Sequence, residues 1–196
     1  MPFSRRARSA TGQSLIEFAI TLPVILLVAL GVIETSWALL DDHIVTKISR
    51  EGSNLISRDI TIQDATTAMR QMASATVNFD NGNSKLIFSV IKRGAITGTV
   101  NYDKPFLYQR YMYGSYSGSS QFATAGAGSF SGAPDYMAVN PDTDASLQVT
   151  NCPPNLVPTP GSLIYVTEIF SRHQLLTPLD HFGIAMPTSM SSIAYF

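Results

Sequence analysis

Charge is scarce in this chain. Asp, Glu, Lys and Arg make up 14% of its 196 residues, where soluble proteins carry roughly 25%. The formal net charge is -1, and the basic footprint of a nucleic-acid-binding domain does not show, so no nucleic-acid partner is expected. There is one cysteine, Cys152, so neither an intrachain disulfide nor a multi-cysteine zinc site can form. In an oxidising compartment a lone thiol is either buried or cross-linked to a partner, and burial is the expectation. HExxH, P-loop and CxxC patterns are all missing. Gly114-Ser115-Tyr116-Ser117-Gly118 has the outline of a nucleophile elbow, but Tyr116 stands where the serine would be. Gly126-Ala127-Gly128 lacks dinucleotide-loop spacing. His43, His173 and His181 are scattered and read as surface or capping residues. His173 and His181 approaching Cys152 would be a weak metal set, without motif spacing. With no acid–base pair placed by a recognisable motif, the chain reads as a non-enzyme without cofactors.

The missing charge is concentrated near the N-terminus. Arg5, Arg6 and Arg8 form a compact basic cluster, and Phe18 to Ile33 then contains no ionisable residue. Leu15 to Leu40 is long enough to cross a bilayer core, which takes about 20 helical residues. Glu17 and Glu34 lie toward the ends of this run, where a charge costs less than the roughly 2.5–3.5 kcal/mol of mid-membrane. Ala19 to Ile33 holds ten Ile, Leu and Val residues. At about 0.3–0.6 kcal/mol each they offset one badly placed carboxylate. Arginines before the span and Asp41-Asp42 after it put the N-terminus in the cytoplasm and the bulk outside. The competing reading is a cleaved secretory signal with a weak small-residue site around Ser36 and Ala38, but the apolar run is longer than such a signal needs.

Just before the span stands Gly12-Gln13-Ser14-Leu15-Ile16-Glu17-Phe18. A carboxylate in an apolar helix is destabilising unless it meets a cation. An α-amine at Gln13, were one present, would lie four residues from Glu17 and on the same helical face. In a packed bundle that amine can pair with Glu17 of a neighbouring subunit and fix axial register. In a lone helix Glu17 would sit among headgroups instead. Pro23 removes one helical hydrogen bond and permits a kink, although proline is also simply commoner in membrane helices.

These residues resemble the processing site of type IV prepilins, and of these the Flp/Tad branch with its TadE-like minor proteins is most similar. The resemblance implies that a prepilin peptidase cuts between Gly12 and Gln13, that Glu17 and Phe18 serve assembly, and that Pro23 kinks the helix. Gly31-Val32-Ile33-Glu34, Tyr165-Val166-Thr167-Glu168-Ile169-Phe170 and Leu176-Thr177-Pro178-Leu179 also resemble TadE-like segments. Major Flp pilins have almost no head and usually carry Tyr where Phe18 stands, so the resemblance points to a minor subunit or pseudopilin-like protein. Its implied partners are other pilins and minor pilins, the prepilin peptidase, the inner-membrane assembly platform and the lipid bilayer. The implied location is the bacterial inner membrane, with the head periplasmic or carried into a pilus. A membrane-anchored adhesive or binding module is the alternative function.

The organisation expected is a leader at 1–12, a transmembrane and extended helix at 13–58, and an extracytoplasmic α+β head at 59–196. Ile44, Val45, Ile48, Gly52, Leu55 and Ile56 recur at helical spacing, which carries the first helix from Ser14 to about Ser57. Thr61-x-x-Asp64 starts a second helix whose face is Ala65, Met69, Met72, Ala73 and Thr76. Strands are expected at Leu86–Lys92, Ile96–Tyr102 and Leu163–Phe170, in a three- or four-stranded antiparallel sheet packed on the helices. Residues 107–160, rich in Tyr, Gly and Ser and then Pro, read as a loop excursion that is either a recognition surface or a loosely packed insertion.

Overall fold

The computed structural model describes residues 10–72, 74 and 76–196. The arginine cluster and Ala73 lie outside them. Helix α1 runs from Ala10 to Ser57 through Pro23 without interruption, four residues earlier than expected at its start. Two compact units are distinguished: Met1–Leu39 with Leu175–Met186, and Leu40–Gln174 with Pro187–Phe196.

In the first unit the helix is bare. Leu15, Ile16, Phe18, Ile20, Val24, Ile25, Leu26 and Val28 are all more than half exposed. The helix carries an apolar stretch of mean hydropathy 2.6, none of which is buried, long enough to cross a membrane. Gly12–Leu39 alone extends about 42 Å against an apolar layer of about 30 Å. A helix that is apolar all round and unburied is a candidate membrane anchor.

The second unit is an α+β head. Past Leu40 the helix changes character. Val45, Ile48 and Ile56 are buried on one face, while Lys47 and Arg50 stay exposed. That amphipathic face packs with α2 (Ile62–Gln71) on one side of a four-stranded antiparallel sheet. Strands β1 (Ser84–Arg93), β2 (Pro105–Tyr113), β3 (Leu163–Arg172) and β4 (Ser189–Tyr195) lie in the order β2-β1-β3-β4. Thr61 caps α2 as its spacing predicts, accepting from Asp64 N at 3.1 Å. Its buried face is Ile62, Ala65, Thr66 and Met69. Met72 is instead the C-cap and partly exposed, and Thr76 lies beyond the helix.

β1 is buried over almost its whole length because both faces of the sheet are covered. Leu86 and Phe88 point to the helices, with Ile169 of β3 beside them. Ile91, Val166, Phe106 and Leu107 meet a second core built by Phe122, Ala138, Leu147 and Val149. Residues 114–160 are therefore neither loose nor open. They fold over the sheet as a cover tied by isolated bridges such as Gln109↔Met137 and Phe106↔Gln148. The buried Asn101 amide donates to the carbonyls of Pro141 and Asp144 and fastens the cover further.

The second strand is not at Ile96–Tyr102. Those residues form turns, with Gly98 at φ +82° and Asp103 at +59°. Gly94 lies so close to Asn101 that a Cβ would sit 1.9 Å from its carbonyl oxygen. The alternation of apolar and polar residues there follows successive turns, not a pleat. Pairing with β1 falls to Pro105–Tyr113, in the stretch expected to be loop, with a register shift between Val90 and Ile91.

Candidate assembly and anchoring site

At the foot of α1, Gly12 is helical and exposed, and Gln13 follows it in the same turn. The Gln13 side chain donates from Nε2 to Glu17 Oε1 at 3.0 Å. The four-residue spacing thus brings position 13 onto the Glu17 carboxylate. That contact is with a neutral amide. Glu17 and Phe18 are both exposed, among Leu15, Ile16 and Ile20. A carboxylate ringed by apolar side chains attracts a cation far more strongly than one in water. Thr21 Oγ1 donates to the Glu17 carbonyl at 2.7 Å, so its hydroxyl enters the apolar stretch already bonded. Thr35 and Ser36 do the same with the Gly31 and Val32 carbonyls. Pro23 has no N–H to offer the turn before it.

Glu34, which the sequence leaves unplaced, is the best-held group in this unit. It is 1% exposed. Its carboxylate accepts from Leu176 N at 3.1 Å, Thr177 N at 2.8 Å and Thr177 Oγ1 at 2.6 Å. Pro178 then opens a 3-10 turn that ends at Phe182, with Gly183 left-handed at φ +77°. Leu179 is fully buried beneath this turn. The Leu-Thr-Pro sequence is thus a clasp. Two successive backbone donors and one hydroxyl converge on a carboxylate 142 residues upstream. Charge-assisted hydrogen bonds of this kind are each worth roughly 1.5–3 kcal/mol.

Asp41, two residues past Leu39 in the chain, belongs to the head. It is 2% exposed; its Oδ2 meets His173 Nδ1 at 2.6 Å, and its Oδ1 accepts from Thr76 Oγ1 at 2.8 Å. His173 is therefore a buried partner of α1 and not the surface or capping residue its scatter suggests. Further up, Gly52 is the contact between α1 and β3. A Cβ there would lie 2.7 Å from Thr167 Cγ2 and 3.0 Å from Met69 Cε. On β4, Ser192 Oγ meets Ser49 Oγ at 2.9 Å, and Ser53 Oγ donates to the Ala194 carbonyl at 2.9 Å. Serines let the helix lie close to the strand while keeping every hydroxyl bonded.

On the far side of the sheet Glu168 is fully buried. It accepts from Ser120 Oγ at 2.5 Å and Gln121 N at 2.6 Å. Arg110 bonds the same Ser120 hydroxyl at 2.9 Å. Burial pushes the Glu168 carboxyl above its ordinary range, and these hydrogen bonds with the nearby guanidinium only partly oppose that rise. Cys152 is half-buried, and burial raises its thiol. Among the described residues, no group of three or more His, Cys, Asp or Glu side chains is placed to hold a metal.

Sequence reading singled out residues at the foot of α1 and left the clasp unjoined. The signals were present, since Glu34 and Leu176-Thr177-Pro178 both stand out in the chain, but only the fold joins them.

Compared with known proteins, residues 12–54 match the family described as TadE-like protein. The matched stretch begins at Gly12 and takes in Glu17, Phe18, Pro23, Glu34, Asp41 and Gly52, while the clasp and the sheet lie beyond it. No curated protein and no solved structure matches the chain.

Proposed function

We propose, from the premise that residues 12–54 are TadE-like, that this chain is a minor pilin or pseudopilin-like subunit in Flp/Tad pilus biogenesis. The observation that carries the reading is the foot of α1, where position 13 contacts the Glu17 carboxylate on a helix otherwise bare and apolar. A prepilin peptidase cutting between Gly12 and Gln13 on the cytoplasmic face leaves a cationic α-amine on Gln13, four residues from Glu17 on the same helical face. Within one helix the new amine neutralises Glu17 and lowers its cost in lipid. Between helices the same two charges exchange partners, so that subunits pack in one axial register as they leave the membrane. Phe18 and the exposed aliphatics supply the packing surface, and Pro23 supplies the local give.

The head stays outside, its role being contact with other pilins and with the assembly platform. The adhesive-module alternative draws less support from the fold. Tyr111 stacks on Tyr136 at 4.1 Å and Phe122 is buried, so these aromatics are spent on packing.

Substituting Glu17→Gln separates assembly from folding. The variant should reach the membrane at normal level yet be severely depleted from sheared pili, or fail to support piliation. Normal recovery of that variant in sheared filaments would overturn the assembly role of Glu17.

A further inference from the structure

The segment Leu175–Met186 packs with the bare half of α1, as part of the same unit. It starts at the Glu34 clasp, and its end, Met186, lines a small cavity with Val28, Gly31, Val32, Thr35 and Ser36. It therefore lies beside the helix over a length of about 9 Å, the rise from Val28 to Glu34. A span of about 20 residues counted from Leu15 ends near Glu34. The segment accordingly sits at the level where the apolar layer gives way to headgroups. Its outward side chains suit that level. Phe182 is 63% exposed, Leu176 56% and Ile184 40%, with Asp180 and His181 exposed between them.

Irregular backbone survives at such depth only if its polar groups are bonded. Here Glu34 takes the Leu176 and Thr177 amides. Gly183 N donates to Asp180 O and Ile184 N to Leu179 O, and Pro178 has no amide hydrogen to satisfy.

We propose that Leu175–Met186 is a second membrane-contacting element, seated in the lipid headgroup–acyl boundary beside the spanning helix and held there by Glu34. Elements of this kind bury an apolar face roughly 5–10 Å into that boundary. The occupant over the exposed Leu176, Phe182 and Ile184 is lipid, because the segment adjoins, at Met186, the bare apolar surface of the candidate span. The inference rests on Gly12–Leu39 spanning the bilayer.

The test uses the full chain with Cys152→Ser in phosphatidylethanolamine–phosphatidylglycerol vesicles. An environment-sensitive fluorophore is attached through Ile184→Cys or, as a second site, Phe182→Cys. Val24→Cys reports on the span and Ser119→Cys on the head. Both 184 and 182 should be quenched by lipids brominated near the headgroup several-fold more than position 119, and be shielded from aqueous iodide. Position 24 should respond most to deeply brominated lipids. Iodide quenching at 184 and 182 equal to that at 119, or quenching by a nitroxide on a second copy without any by lipid, would overturn the proposal while leaving the span intact. Failure of every lipid to quench position 24 would remove the span itself, and the proposal with it.

Discussion

Replacing Glu34 with alanine should open the clasp without unfolding the head. The variant deprives Leu176 N, Thr177 N and Thr177 Oγ1 of their acceptor. Thr177 is buried, so its amide and hydroxyl bear the full cost, whereas the exposed Leu176 amide recovers a bond to water or headgroups. Two buried donors left unsatisfied cost about 1–3 kcal/mol each, giving about 2–6 kcal/mol against the closed segment. At a factor of ten per 1.36 kcal/mol, that is about thirtyfold to some ten-thousandfold faster hydrogen exchange at Thr177. The assay is exchange on the full chain in lipid nanodiscs, resolved to the peptide containing residues 175–186. Thr177→Val keeps both amides bonded and removes only the hydroxyl, a loss of about 1 kcal/mol and so roughly a fivefold change. Exchange at β1 should stay as in the parent in both variants, because its protection comes from the sheet. Unchanged exchange at Thr177 in Glu34→Ala would show that the carboxylate does not hold the segment and would refute the reasoning.

The remaining predictions concern the head. Gly52→Val places side-chain atoms inside contact distance of Thr167 and Met69, and should destabilise the head by about 1–3 kcal/mol in urea titrations monitored at the sheet. For Glu168, a folded carboxyl above its ordinary value near 4.5 binds more protons folded than unfolded. Its contribution is therefore fully present below that value and is lost as pH rises through the raised one. The parent should lose stability relative to Glu168→Gln across that window, and a parent-minus-variant difference that is flat or rises with pH would contradict the assigned burial effect.

The elements with one dominant local signal were legible before the fold was known. An unbroken apolar run followed by helical spacing gives α1, the Thr61–Asp64 cap gives α2, and branched apolar runs give β1 and β3. β2 was misplaced because Gln109 and Arg110 interrupt Pro105–Tyr113 with polar groups. Their partners, the Asp135 carbonyl for Gln109 and Ser89 and Ser120 for Arg110, are supplied only by the fold. β4 is short and serine-rich, and its serine at 192 has meaning only opposite Ser49 of α1. The cover over the sheet carries its order in long-range polar bonds such as Asn101 to Pro141, which leave no periodic trace in sequence. Glu17 could be given an expected role because position 13 is four residues away on the same helix. Glu34 could not, because its partners are more than a hundred residues distant.

We propose that, in the mature protein, α1 begins at Gln13, whose α-amine answers Glu17. The N-terminal residue of the protein purified from membranes, determined by intact mass and terminal peptide sequencing, tests it directly. A start at Gln13 is the predicted result. A start at Met1 or Pro2 would leave an uncut anchor in which Glu17 has no terminal amine to meet, and a start beyond Ala38 would remove the spanning helix from the mature protein; either would contradict the account.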